Sequence, residues 1–264
     1  MQGRQKAPPF SCPLLPAGRI HIDHVDENAL FRAFGLCHTK KAGRFAVRAA
    51  GSDGSRREVM GIAWEEDVIV HADGRARCGW CGRDPLYVRY HDEEWGVPER
   101  DGQKLFEKLV LDTFQAGLSW LTILRKRTAF RRAFAGFDPE VIAAWGDAEV
   151  NRLMQNAGIV RNRAKIEAAI TNARAVCAMG GPVAFSRFLW EFVDGTPVIN
   201  APRTRAEVPA QSPLSRKVAG ALKARGFAFC GPVVVQAFLQ AAGLINDHLI
   251  SCHRHPWHDQ NGKT

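Results

Sequence analysis

A thiol at Cys78 and an imidazole at His91 stand close together in the chain, and a second such pair, His248 and Cys252, lies near its other end. Thiolate and imidazole are the ligands of tetrahedral structural zinc sites, and two of each is a common set. These four residues would complete a site if the fold brings the two ends of one domain together. A closed site of four protein ligands leaves no position for a reacting water, so its role would be to staple the chain. Cys81 is an equally soft donor three residues from Cys78, and His253, His255 and His258 follow Cys252. The residues by themselves therefore leave the ligand set open. They also leave open a plainer reading, in which His248 and Cys252 are ordinary residues at a helix end. If that segment is helical, their spacing of four puts both on one face.

Around the first pair stand Trp80, Tyr87, Tyr90 and Trp95, and Tyr87 and Tyr90 are the only two tyrosines of the protein. Such a cluster suits a pocket for something flat. A second cluster runs from Asp112 to Trp120. There an otherwise apolar helical stretch carries Asp112 and Gln115, Gly117 interrupts it, and Trp120 opens the next element. A carboxylate beside aromatic rings is what a flipped, positively charged base requires: the rings stack on it and the carboxylate opposes its charge. In the plainer alternative Asp112 pairs with Arg125 and Trp120 belongs to the core.

A third arrangement concerns phosphate. Leu214–Ala224 reads as a helix with Lys217, Lys223 and Arg225 toward its end, and Val233–Ala242 as a second helix. The short connection between them contains Gly226 and Gly231, which can adopt backbone angles closed to other residues. Two helices joined in this way form a helix-hairpin-helix. The free N–H groups at the start of its second helix point at a DNA phosphate without reading sequence. Pro232 suits the first position of that helix. The alternative is an αα-corner packed in the core, which Phe227 and Phe229 would also fit.

The elements that must position these groups are helical. From Cys78 onward apolar residues recur at three- and four-residue spacing, as in Leu105, Phe106, Leu109, Val110 and Phe114 within Lys104–Ala116. Trp120–Phe134 repeats the pattern with a basic face of Arg125, Lys126, Arg127, Arg131 and Arg132. Asp138-Pro139, Asp147, Asn162, Ser186 and Ser212-Pro213 look like helix starts, and Gly158, Gly180-Gly181 and Gly226 look like stops. Residues 77–264 are therefore expected to form one all-α domain. Residues 1–76 have poor periodicity, a Pro8-Pro9 step and a small-residue tract over Ala49–Ser55, and are expected to be mostly irregular. Within them only Asn28–Leu36 suggests a short helix and Val68–Val70 a short strand. Met60 opens the run that leads into the cysteine motif and is a candidate for the true initiator.

At 264 residues, 46% hydrophobic and 24% charged, the composition is that of a globular protein. No apolar run approaches a membrane span, and no signal core follows the basic first residues. Seven cysteines at irregular spacing argue against a disulfide framework, so a cytoplasmic protein is expected. A formal charge of +9 favours a polyanionic partner.

Taken together, Arg77–Trp80, Asp84–Tyr87, Tyr90–Pro98, Gln115–Trp120, Asn156–Ile166, Arg225–Phe229 and Asn246–His248 resemble, in one consistent order, the DNA-3-methyladenine glycosylase I family of bacterial alkylation-repair enzymes. The resemblance covers roughly residues 77–257. It implies a helix-hairpin-helix glycosylase fold with a structural zinc whose ligands fall on Cys78, His91, His248 and Cys252, leaving Cys81 a bystander. It places the base pocket at Trp80, Tyr90 and Trp120, with Tyr87 and Trp95 nearby, and a base-recognising glutamate at position 112, where this chain carries the shorter Asp112. It implies a monofunctional hydrolase that acts as a monomer on double-stranded DNA containing alkylated adenine, with Lys223, Arg225, Gly226 and Gly231 on the phosphates. Asp247, beside a ligand, is expected to be a structural cap rather than a water-activating base. The alternatives from other classes are a non-catalytic helix-hairpin-helix protein that binds damaged DNA, and a zinc-stapled protein with a pocket for a small purine-like ligand. Base release separates the first, and the basic face argues against the second.

Overall fold

The computed structural model describes residues 67–261, with side chains to residue 258. The Asn28–Leu36 helix, the Met60 question and all but the last residues of the expected irregular extension lie outside them. The described chain opens with a small antiparallel hairpin, β1 (Val68–Val70) on β2 (Ala76–Cys78), in the register Val68↔Cys78 and Val70↔Ala76. Most of this hairpin lies ahead of residue 77.

Helices make up nearly all of the rest. They are α1 (Pro85–Glu93), α2 (Gly102–Gln115), α3 (Trp120–Ala133), α4 (Pro139–Ala143), α5 (Asp147–Met154), α6 (Arg163–Ala178), α7 (Pro182–Glu191), α8 (Pro213–Ala224), α9 (Pro232–Ala241) and α10 (Pro256–Asn261). A two-residue parallel pair, β3 (Val198–Ile199) with β4 (Ile245–Asn246), links the chain before α8 to the chain after α9. Among the described residues no helix is long and apolar enough to cross a membrane.

Side-chain caps set most of the starts. Asp84 accepts from Leu86 N at 2.9 Å, Asp101 from Gln103 N at 2.9 Å, Asp138 from Glu140 N at 2.9 Å, Asn162 from Lys165 N at 3.1 Å and Ser212 from Ser215 N at 3.1 Å. Each satisfies backbone donors that the helix itself cannot. Ser186, expected to start a helix, instead lies inside α7. Its start is set by Gly181 and Pro182, and the buried Ser186 Oγ donates to Arg100 O at 2.7 Å.

The core forms where α2 passes between α3, α7 and α9. Leu105, Phe106, Leu109, Val110 and Phe114 are all buried there, as their spacing required. Each such side chain contributes about 1.5–3 kcal/mol on burial. The basic face of α3 is largely neutralised. Arg125 pairs with Asp84 at 2.8 Å, Arg131 with Glu107 at 2.8 Å, and Arg127 forks onto Glu94. These pairs tie α3 to α1 and α2 and leave less free charge on that face than the sequence suggested.

Candidate functional site

A cavity of about 360 Å³ opens among the hairpin end, α1, α2, the start of α3 and the α9 side. Trp80, Tyr87, Tyr90, Trp95 and Trp120 all line it, together with Asp112 and Gln115. The rings form a continuous wall. Trp80 lies 5.2 Å from Tyr87 and 5.0 Å from Trp95 between centroids, and Tyr90 lies 5.4 Å from Trp120.

Asp112 comes from the buried face of α2 and is only 4% exposed. Its Oδ2 has no hydrogen-bond partner, nor has the Trp120 indole nitrogen in the same lining. Burial pushes the Asp112 carboxyl up to about 8, with only a weak opposing pull from the Lys108 ammonium. Lys108 is itself occupied, donating to Ala241 O at 2.9 Å. Arg125, the partner that would have made Asp112 a plain structural residue, is committed to Asp84. A buried polar atom without a partner is uncommon, and here it faces a cavity large enough to hold a partner.

A second carboxylate of the lining, Asp247, is treated differently. Asp247 accepts from Asn200 Nδ2 and Gln240 Nε2 at 2.6 Å each, and from Gln236 Nε2 at 3.5 Å. Ser212 Oγ donates to Gln236 Oε1 at 2.7 Å and fixes that amide. Asp247 thus clamps β3, α9 and β4 together.

Beside the cavity, the ligand atoms of Cys78, His91, His248 and Cys252 all lie within 4.8 Å of one another, and all four residues are buried. This group could hold a metal ion. Neither half is built as the spacing suggested. Cys78 and His91 flank a 3₁₀ turn (Gly79–Cys81) and α1, not a loop. His248 and Cys252 sit in a turn after β4, not on a helix. Asp247 is anchored by its amides and Ile250 N donates to Pro202 O at 2.9 Å, which draws the chain off a helical path.

Each imidazole is oriented by its other nitrogen. His91 Nδ1 lies 2.7 Å from Asp92 Oδ1, and His248 Nε2 lies 3.1 Å from Trp95 O. Their inner nitrogens are left facing the thiols, the arrangement that sets tautomer and direction in metal sites. Gly96, at φ +75°, permits the close approach to His248: a Cβ there would come within 3.1 Å of the ring. Burial holds the His248 imidazole below its usual pKa and so keeps its lone pair available. The hydrogen-bonded contact between the two free thiols holds Cys78 above its usual pKa and Cys252 below it. Cys81 points away, its thiol 3.7 Å from Gly82 O.

At the opposite end of α9, the hairpin between α8 and α9 has Lys223, Arg225, Gly226 and Gly231 exposed. The left-handed backbone falls on Gly226 (φ +84°) and Phe229 (φ +56°), and not on Gly231, which caps α9 at φ −67°. Phe227 is buried on Phe185, whereas Phe229 is half exposed. The Arg225 guanidinium lies 4.3 Å from the Phe188 ring centroid. Asn172, buried in α6, grips the hairpin from below, accepting from Ala228 N at 2.7 Å and donating to Ala228 O at 3.1 Å.

Sequence reasoning did not find the supporting residues. Asn172, Gln236 and Gln240 each signal themselves only as polar positions in apolar helices. Lys165 is another: buried in α6, it donates to Phe114 O at 3.0 Å and Ala116 O at 2.6 Å and fixes the end of the Asp112 helix.

The family model for methyladenine glycosylase matches residues 80–255. The chain is 48% identical over 183 residues to DNA-3-methyladenine glycosylase 1 of Escherichia coli (strain K12), covering 68% of this chain and 97% of that one. A crystal structure of 3-methyladenine DNA glycosylase I superposes with a TM-score of 0.66 at 50% identity, over 68% of this chain and all of the other. A single-residue variant of 3-methyladenine DNA glycosylase I in complex with 3-methyladenine has a TM-score of 0.62 at 39% identity, over 66% of this chain and 94% of that chain.

Proposed function

This chain belongs to the methyladenine glycosylase family, and from that premise we propose that it is a base-excision repair DNA glycosylase that hydrolyses the N-glycosidic bond of 3-methyladenine in alkylated DNA. The observation that carries this reading is the buried, unpartnered Asp112 oxygen in an aromatic-walled cavity. Methylation at N3 gives the adenine a positive charge, and a flipped base brings both a π-face and hydrogen-bond donors into the pocket. Trp80, Tyr90 and Trp120 stack against that face; Asp112, kept protonated by burial, releases its proton to solvent as the cationic base enters, then accepts from the base and opposes its charge. The bond from C1′ to the base breaks, and its electron pair goes to the base and cancels the charge. Water adds hydroxyl to C1′ and gives up a proton. The products are free 3-methyladenine and an abasic site. Among the described residues no lysine lines the cavity, so none stands ready to form a Schiff base there, which supports a monofunctional hydrolase.

The metal is zinc in this reading, held by Cys78, His91, His248 and Cys252. Zinc bonds of about 2.3 Å to sulfur and about 2.05 Å to nitrogen, at a tetrahedral angle, separate sulfur and nitrogen by about 3.6 Å. The pairs here stand at 3.4 Å (Cys252 and His91), 3.6 Å (Cys252 and His248) and 3.6 Å (Cys78 and His248). Four protein ligands make the ion structural, tying the segment after the hairpin to the segment after β4. Lys223, Arg225 and the Gly226–Gly231 hairpin grip the backbone of double-stranded DNA, and the protein acts as a monomer in the cytoplasm.

The test is release of free 3-methyladenine from methylated duplex DNA, with wild type beside Asp112→Asn. Release by wild type that falls at least tenfold in the variant, with DNA binding retained, is expected. No release from folded, zinc-loaded wild type overturns the assignment.

A further inference from the structure

The β1–β2 hairpin touches both the metal cluster and the cavity. Val68 packs on Cys78, Leu249 and Cys252. Asp67, immediately ahead of β1, lines the cavity and makes two bonds. Its backbone oxygen accepts from Gly79 N at 2.7 Å, and its Oδ1 accepts from Arg205 N at 2.7 Å. Arg205 opens a short 3₁₀ turn, Arg205–Glu207, in the irregular connection between β3 and α8. Arg205, Val208, Pro209 and Ala210 of that connection form one wall of the cavity. The wall is mostly exposed and has no helix or strand of its own, so its position depends on what it is tied to. The hairpin is fixed at its other end too. Arg77 binds Asp73 at 2.7 Å and also binds Asp92, the carboxylate that orients His91.

β1 and Asp67 lie ahead of residues 80–255, the span that the family model matches. We propose that the β1–β2 hairpin latches the cavity wall, with Asp67 the positioning residue that holds the Arg205–Ala210 segment against the bound base. This rests on reading the cavity as the base site. The latch works in one direction: the hairpin is anchored to the rigid metal-side cluster, and Asp67 passes that anchorage to the loop through a charge-assisted bond to a backbone N–H.

The experiment compares Asp67→Ala and Asp67→Asn with wild type, all as complete zinc-loaded chains. Amide hydrogen exchange is followed over residues 203–208 and in α2, and base release from methylated duplex DNA is resolved into kcat and KM. Asp67→Ala is expected to speed exchange at 203–208 about tenfold and raise KM roughly three- to tenfold, with kcat, zinc content and α2 protection unchanged. Asp67→Asn keeps an oxygen acceptor and is expected to restore both. Unchanged exchange at 203–208 in Asp67→Ala overturns the latch. Faster exchange with unchanged KM overturns its role toward the base. If wild type itself releases no base, the glycosylase reading fails, while the exchange result still decides the latch.

Discussion

Replacing Asp112 with Asn should make this protein more stable while making it less active, and the gain should grow with pH. The Asp112 carboxyl ordinarily ionises near 3.8, and burial pushes it up to about 8. At pH 3 both the folded and unfolded chains hold the proton, and the group costs nothing. Between pH 4 and 8 the unfolded chain releases the proton and the folded chain keeps it, so each pH unit destabilises the fold by about 1.4 kcal/mol. The cost reaches about 1.7 kcal/mol at pH 5, about 4 kcal/mol at pH 7 and about 5 kcal/mol at pH 8. Asn has the same shape and does not titrate. Its own unpartnered amide carries a penalty that is the same at every pH, and so cancels when the two pH values are compared. Urea unfolding of both proteins at pH 5 and pH 8 should show the stability difference moving in favour of Asp112→Asn by about 3 kcal/mol, or roughly 6–12 °C in Tm. A difference that stays flat to within about 0.5 kcal/mol would refute the reasoning, because Asp112 would then be ionised or solvated in the folded protein. The pairing of higher stability with lower base release marks a residue kept for function.

Two further predictions concern the metal and the phosphates. Cys252→Ala should purify without its zinc and unfold at lower denaturant, as should wild type dialysed against a strong chelator; metal analysis checks this, and a stoichiometric ion in the variant would mean that Cys81 or His253 takes over as ligand. Lys223→Ala and Arg225→Ala should each flatten the plot of log DNA affinity against log salt by about one unit of slope while leaving Asp112 chemistry intact; titrations at several salt concentrations measure it, and an unchanged slope removes that residue from the interface.

The soft ligands and the aromatic cluster were legible because their chemistry tolerates few other residues. Four rare side chains in two pairs meet in space despite 156 positions between His91 and His248. The long helices were legible because apolar spacing sets the burial of α2 and α3. The local form of the metal segments was not. α1 is short, and it is held by its Asp84 cap, the His91–Asp92 contact and the pair that Arg125 makes with the cap. Tyr87, Tyr90 and His91 add ring contacts to Trp80, Trp120 and His248, so its stability comes from partners outside the helix that no local pattern reveals. The His248–Cys252 turn is fixed by Asn200, Gln236 and Gln240 through Asp247, residues that lie in two other segments. Gly226 and Gly231 both read as able to take left-handed backbone because glycine is its usual sign; Gly226 does, whereas the second such conformation falls not on Gly231 but on Phe229. Its side chain is thereby turned out to solvent at the hairpin tip, where a duplex would approach.

Two of the three carboxylates of the cavity, Asp247 and Asp112, show where stability and function part. Asp247 is surrounded by three amide donors, and Ser212 fixes one of them, so that the group is fully committed before any ligand arrives. Such a residue holds β3, α9 and β4 in register and has little left to offer a substrate. Asp112 is equally buried but keeps an oxygen without a partner, and the nearest cation, on Lys108, already donates to Ala241 O. A fold selected for stability alone would pair or replace that carboxyl, because an unsatisfied buried acceptor costs about 1–3 kcal/mol and a buried charge more. The surrounding residues preserve it instead. Lys165 pins the end of α2, Trp120 and Tyr90 close over the cavity, and the hairpin and its loop supply the remaining wall. The free oxygen thus faces a cavity whose walls come from several separate elements, and in the proposed reading the partner it lacks is the cationic base that damaged DNA presents.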